Sequence, residues 1–229
     1  MAVRAATILV SILLAFSIDA WWQERGERNA ELMLLDRLTA DFVEMRTTPE
    51  AVEKEHRDAS EACIALLNYS AGESLPATYE VDKMVALVFL ASRTFNPGAG
   101  AVAAFLNSEG AKLIRNQPLA NLLLIWPGLV EELQEEEANL QKGVAERWTP
   151  FLASRANVAP CLVSFGELMA GIPGQVSQPP TRKAIVVDQA FLNLVLDRNK
   201  WQQITLRDIE PLHTAADNIL RLLDIEPGR

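Results

Sequence analysis

The sequence predicts an all-α protein, an N-terminal transmembrane helix continuing into a soluble antiparallel helical bundle with long kinked helices. Three observations predict it. One apolar run opens the chain, apolar residues recur at steps of three and four through the rest, and no stretch alternates with period two. The expected division is an anchor over residues 1–22 and a helical domain over 23–229, with an internal loop at Gly171–Thr181.

From Ala5 to Ile18 the order AATILVSILLAFSI holds only apolar and small hydroxyl residues, between Arg4 and Asp19. With its flanks, Ala2 to Trp22, the segment measures roughly 30 Å at about 1.5 Å per helical residue, the thickness of a hydrocarbon core. Arg4 can snorkel outward at one end. Asp19, Trp21 and Trp22 fall at the opposite interface, where indole rings gather. A cleaved signal peptide is the competing reading, because Ala15-Phe16-Ser17 meets a small-x-small rule. Against it stand the single Arg before the run and the helical pattern that continues after it. Arg4 and the terminal amine nearly balance Arg25 and Arg28 under the positive-inside rule. Two cysteines without a redox motif tilt the expectation towards an extracytoplasmic domain.

Beyond the anchor, Leu32, Leu35, Leu38, Phe42 and Met45 form an apolar stripe with charged residues between them. Thr48 as N-cap and Pro49 behind it signal a second helix or a kinked continuation, to about Ser70. A turn over Gly72–Ala77 precedes a helix from about Thr78 to Arg93, which Asn96-Pro97-Gly98 ends. A short helix follows at Ala99–Asn107. Asn116 then caps a long helix with the stripe Leu119, Leu122, Trp126, Leu129, Leu133, Leu140, Val144 and Trp148, bent at Pro127. Its acidic run Glu131–Glu137 reads as a solvated face. Asp188 caps the last helix, through Phe191, Val195, Trp201, Ile204, Ile209, Leu212, Ala216, Ile219 and Leu223, kinked or interrupted at Pro211.

Two sets of residues resemble a family of bacterial single-pass proteins built around a domain of unknown function. Its anchors end in Asn/Asp-x-Trp, similar to Asp19-Ala20-Trp21 here. Its later Phe-x-Pro and Ser-x-Gly…Ile-x-Asn segments are similar to Phe95-Asn96-Pro97 and to Ser108-Glu109-Gly110 with Ile114-Arg115-Asn116. The resemblance covers about residues 7 to 150, with a looser match of the last helix, and the chain lacks the basic stretch that often precedes such anchors. What it implies is the architecture and a bacterial inner membrane, with no activity, cofactor or site residue attached.

Composition excludes several function classes. Lys plus Arg number 21 against 30 Asp plus Glu, a net charge of −9 with no basic cluster, so nucleic acid is not an expected partner. No Gly-rich phosphate loop, Gly-x-Ser-x-Gly elbow or His-Glu-x-x-His motif occurs. Cys63 and Cys161 lack metal spacing and read either as a disulfide or as two small buried hydrophobes. One chemical pattern stands out. The two histidines each follow a glutamate by three residues, Glu53-x-x-His56 and Glu210-x-x-His213, the spacing with which ferritin-like bundles hold two metal ions. Further carboxylates would come from Glu31 or Glu44 and from Glu132, Glu135 or Glu146. Pro211 inside the second motif, and the short gap between the first helix and Glu53, weigh against it.

The expected function is therefore that of a membrane-anchored accessory or scaffold protein of an envelope assembly, non-enzymatic and without cofactor. Its partners would be the lipid bilayer and other membrane or envelope proteins, with self-association open. A di-metal carboxylate bundle on Glu53, His56, Glu210 and His213 is the alternative, and a ligand-sensing helical bundle the second.

Overall fold

The three-four spacing is realised as helix, and no strand occurs among the described residues. A computed structural model describes residues 2–74, 78–98, 100–107, 110–156, 158, 161 and 185–225, with side chains throughout save at 2–9, 46–49, 78–80 and 225. The helices are α1 (Ala2–Ser70), α2 (Thr78–Phe89), α3 (Gly100–Leu106), α4 (Gly110–Leu113) and α5 (Gln117–Gly143). A π-helical turn (Val144–Trp148), α6 (Thr149–Arg155) and α7 (Gln189–Ile225) follow.

Several boundaries follow the sequence chemistry. The Asn116 carboxamide oxygen accepts the Leu119 N–H at 3.1 Å, and Asp188 Oδ1 accepts the Ala190 N–H at 2.7 Å, so both expected caps open their helices. The three prolines do not end helices. Pro127 and Pro211 lie inside α5 and α7, and α1 runs through 47–49, whose side chains are outside the description. A helical proline removes one N–H bond. Buried residues on both flanks, Met45 and Val52 around Pro49, Trp126 and Leu133 around Pro127, and Ile209 and Leu212 around Pro211, keep the turns helical despite that loss. The helix expected to reach Arg93 ends at Phe89, because buried side chains take the backbone groups of the following segment. The Gly171–Thr181 loop, Arg4 and the Ser108-Glu109 pair lie outside the described residues or side chains.

Among the described residues no helix is long and apolar enough to cross a membrane. The first part of the expected anchor, residues 5–9, falls where side chains are not described. From Val10 to Trp22, α1 is exposed on every face.

The chain divides into two compact units, Met1–Met45 with Gly98–Trp126 and Ala215–Arg229, and Arg46–Pro97 with Pro127–Thr214. In the first, Leu38, Phe42, Phe105, Leu119, Leu123 and Ile219 are fully buried, and Phe42 meets Trp126 edge-on at 4.8 Å. Two carboxylates of α1 fix its short elements. Asp41 accepts the Ala101 N–H at 2.9 Å, and the buried Glu31 accepts the Arg115 N–H at 2.9 Å. A Cβ at Gly110 would lie 2.8 Å from Phe105 Cα and nearer still to the Ala104 carbonyl oxygen, so only glycine fits where α4 meets α3.

The second unit packs Cys63, Leu66, Val88, Phe89, Trp148, Leu152, Phe191 and Val195 into one core, with Phe89 stacked on Phe191 at 5.0 Å. Within it α1 and α7 run antiparallel. Glu53 meets His213, His56 meets Gln202, and Ser60 meets both Asn199 and Gln203, so numbers rise on one helix as they fall on the other.

Candidate functional site

The core of the second unit contains charge. Arg198, Gln202 and Thr205 of α7, His56 of α1 and Glu137 of α5 are each at most 2% exposed. Groups of this kind are costly to bury unless hydrogen-bonded.

Arg198 organises the cluster. Its Nη2 donates to the Ala91 carbonyl at 2.6 Å, and its guanidinium carbon lies 4.7 Å over the Trp148 ring. Burial draws its pKa down to about 10, against the pull of Cys63 and Glu55, so it remains a cation at neutral pH. A guanidinium has donors only, so the neighbouring Gln202 must present its amide oxygen. In that orientation the oxygen accepts Arg198 Nε at 3.2 Å and Nη2 at 2.9 Å, and the amide nitrogen donates to His56 Nδ1 at 2.7 Å. Neutral His56 therefore carries its proton on Nε2. That nitrogen faces Glu137 Oε1 at 3.6 Å, longer than a hydrogen bond, while Glu137 Oε2 accepts the Phe95 N–H at 2.7 Å.

The ends of this relay converge on one stretch of backbone. After α2, the non-helical segment 91–98 has backbone groups without helical partners. Arg198 takes Ala91 O, Glu137 takes Phe95 N–H, and Gln134 Nε2 takes Phe95 O at 3.1 Å. The Thr149 hydroxyl adds the Phe89 carbonyl at 2.9 Å. The π-helical turn supplies the platform, since the extra residue per turn brings Trp148 back over Gly143 and beneath Arg198. A Cβ on Gly143 would sit 2.5 Å from that ring.

Of the two Glu-x-x-His motifs, the structure brings Glu53, Glu210 and His213 to one groove and sets His56 apart. His56 lies in the relay, whereas Glu53 pairs with Arg57 and stands 3.3 Å from His213, on an open groove that Glu210 also lines. Of the further carboxylates considered, Glu31 holds Arg28 and Arg115, and Glu44, Glu132, Glu135 and Glu146 are exposed. Among the described residues no group of three or more His, Cys, Asp or Glu side chains could hold a metal ion.

No relative was found. Comparison with protein-family models, with curated proteins and with solved structures returns no match. The resemblance of the anchor and turn segments to single-pass proteins thus carries no activity to this chain.

Cys63 and Cys161 are both buried in the core of the second unit, and no disulfide joins them. Burial pushes the Cys63 thiol up to about 12, although the Arg198 charge pulls the other way. At neutral pH it is an inert hydrophobe. The interface residues expected at the end of the anchor are exposed. Trp21 and Trp22 meet edge-on at 5.3 Å, Arg25 lies 5.6 Å over the Trp21 ring, and Asp19 stands just before them on the same helix.

Sequence reasoning missed Arg198, Gln202 and Glu137. On α7 the apolar stripe passes through Trp201 and Ile204, which are half-buried, whereas the buried face runs through Arg198, Gln202 and Thr205. The signal is present in the spacing. Phe191, Val195, Arg198, Gln202, Thr205, Ile209 and Leu212 step by four and three without a break.

Proposed function

We propose that the protein is a membrane-anchored helical module that acts through protein contacts, as an accessory or scaffold subunit of an envelope assembly. One observation carries the membrane part. Side chains from Val10 to Trp22 are exposed around the whole circumference of α1, with Leu14 at 61% and Phe16 at 67%. A helix apolar on every face needs cover on every face. Covering a large apolar side chain contributes about 1.5–3 kcal/mol, and a bilayer supplies that cover for the entire run. The sequence carries the same composition back to Ala5. The Ser17 hydroxyl donates to the Leu13 carbonyl at 2.8 Å, so this polar group makes no demand on water.

The contact part of the reading rests on how the polar groups around the core are used. The buried Arg198 and Glu137, the partly buried Thr149 and the exposed Gln134 all bond to backbone of their own chain. A catalytic pair would instead direct its hydrogen-bonding capacity at a space where a substrate can sit. We place the helical domain outside the cytoplasm, where two cysteines without a redox motif are more easily accommodated.

Membranes from expressing cells, washed with high salt and then at alkaline pH, test the anchor. The protein is expected to stay in the pellet. Release into the supernatant, or an N-terminus at Ile18 or later, would overturn the anchor. Alkaline phosphatase and a cytoplasmic reporter fused after Arg229 test the orientation, and cytoplasmic activity alone would reverse it.

A further inference from the structure

Seven residues beyond Ile18, where its apolar stretch ends, the helix meets a cluster of guanidinium groups in the first unit. A cleft of about 410 Å³ is lined there by Trp21, Glu24, Arg25, Arg28, Asn29 and Arg115. Three cations and one carboxylate line it, in a chain whose net charge is −9. We propose that this cleft binds a phosphate oxyanion, and that its source is the headgroup of an anionic phospholipid. The proposal rests on the membrane-anchored reading.

The cluster is built rather than accidental. Glu31, itself 1% exposed, accepts Arg28 Nη1 at 2.6 Å and the Arg115 backbone N–H at 2.9 Å, and lies 3.8 Å from Arg115 Nε. One buried carboxylate thus holds the Arg28 guanidinium and the Arg115 backbone, from different parts of the chain. Glu24, exposed, reaches Arg115 only at 3.8 Å. Arg25 has no carboxylate partner among the described residues and is held over the indole of Trp21. The held Arg28 side chain and the anchored Arg115 backbone set the geometry, and Arg25 supplies uncompensated charge. Guanidinium groups suit phosphate because their planar donors match its oxygens two at a time.

Position identifies the source. At about 1.5 Å per residue, Trp21 lies roughly 5 Å and Arg25 roughly 10 Å past Ile18 along the axis, which spans the headgroup layer outside a hydrocarbon core. Indole at the boundary with arginine just beyond is the order in which an interface presents ester and then phosphate. A free phosphate needs no such placement.

The test uses the full chain in mixed micelles containing equal phosphatidylglycerol and phosphatidylcholine, read as lipid retained on the protein by native mass spectrometry. Phosphatidylglycerol is expected to be retained preferentially. Arg25→Gln, at an exposed position with no ion pair to lose, should lower that preference about fivefold, the usual effect of one basic residue at a surface. Lys54→Gln, a cation of the second unit, should leave it unchanged. Equal retention of the two lipids, or an unaltered preference in Arg25→Gln, overturns the inference. Displacement of phosphatidylglycerol by millimolar inorganic phosphate would instead make free phosphate the ligand and overturn the lipid source. Wild-type protein reconstituted in vesicles and washed at alkaline pH separates the two readings. Release sinks the anchor and this inference together, whereas retention without lipid preference sinks this inference alone.

Discussion

The Arg198 guanidinium lies 4.7 Å over the ring of Trp148, with the two side chains 1% and 0% exposed, in the core of the second unit. Among the described residues no carboxylate forms an ion pair with it. Its desolvation is offset by the Ala91 carbonyl, the Gln202 amide oxygen and the indole face. The cation thereby sets the Gln202 orientation and, through it, the His56 tautomer.

Arg198→Met should accordingly cost about 3–5 kcal/mol. The apolar side chain fills much of the volume but leaves the Ala91 carbonyl and the Gln202 oxygen buried without their donor. Arg198→Lys keeps the charge yet loses the fork that reaches both acceptors, and should fall between. Chemical denaturation of the detergent-solubilised protein measures both, and a loss under about 1 kcal/mol in Arg198→Met would remove the organising role given to this residue.

Two glycines of α5 should respond in opposite directions. A methyl at Gly143 would stand 2.5–2.9 Å from ring atoms of Trp148, which is fixed between it and Arg198. Overpacking of this kind costs about 1–3 kcal/mol. A methyl on Gly128 would meet nothing within 4 Å, so Gly128→Ala should stabilise by about 0.5–1 kcal/mol through helix propensity alone. Equal shifts in the denaturation midpoint would show that the π-helical turn does not depend on the Gly143–Trp148 contact.

Cys63 makes stability depend on alkaline pH. An unfolded thiol ionises near 9.0, whereas burial holds the folded one protonated up to about 12. A raised acid pKa means the unfolded state loses its proton first, so the contribution is nil below about pH 8 and destabilising above 9. By pH 10 the expected loss is about 1.4 kcal/mol. Arg198 titrates in both proteins, so the difference in pH slope between wild type and Cys63→Ala reports the thiol together with its coupling to Arg198. Parallel slopes would contradict it.

The all-α class was legible because apolar periodicity and two side-chain caps are local signals. Asn116 and Asp188 act on backbone within three residues of themselves. What escaped depends on distance in sequence. Glu31 sits beside Leu32 in a charged stretch, and only contact with Arg115, far along the chain, explains why it is the buried member. Glu137 closes an acidic run that reads as solvated, and its burial follows from Phe95 needing an acceptor. A stripe drawn through apolar residues alone passes over Arg198 and Gln202, because periodicity identifies a face while hydrophobicity merely guesses what occupies it. Prolines left two outcomes open, a kinked continuation or an interruption, and continuation prevails where buried residues on both flanks outweigh one lost hydrogen bond.

Separating His56 from His213 tests the structural reading against the metal one. His56 is 2% exposed and bonded to Gln202 at 2.7 Å; His213 is partly exposed on a groove, near Glu53. Truncating His56 leaves the Gln202 amide without its acceptor and opens space beside Glu137, so His56→Ala should cost about 2–4 kcal/mol. His213→Ala removes a part-exposed contact that is longer than a good hydrogen bond, and should cost less than about 1 kcal/mol. Neither variant should change metal content. A dinuclear site would behave otherwise. Loss of either imidazole would leave carboxylates crowded around a vacated centre, where like charges repel, and the two variants would lose metal and stability together. Elemental analysis of wild type and both variants, beside their denaturation midpoints, decides between them. Near-stoichiometric iron or manganese in the wild type that disappears in either variant would replace the scaffold reading with a metalloprotein.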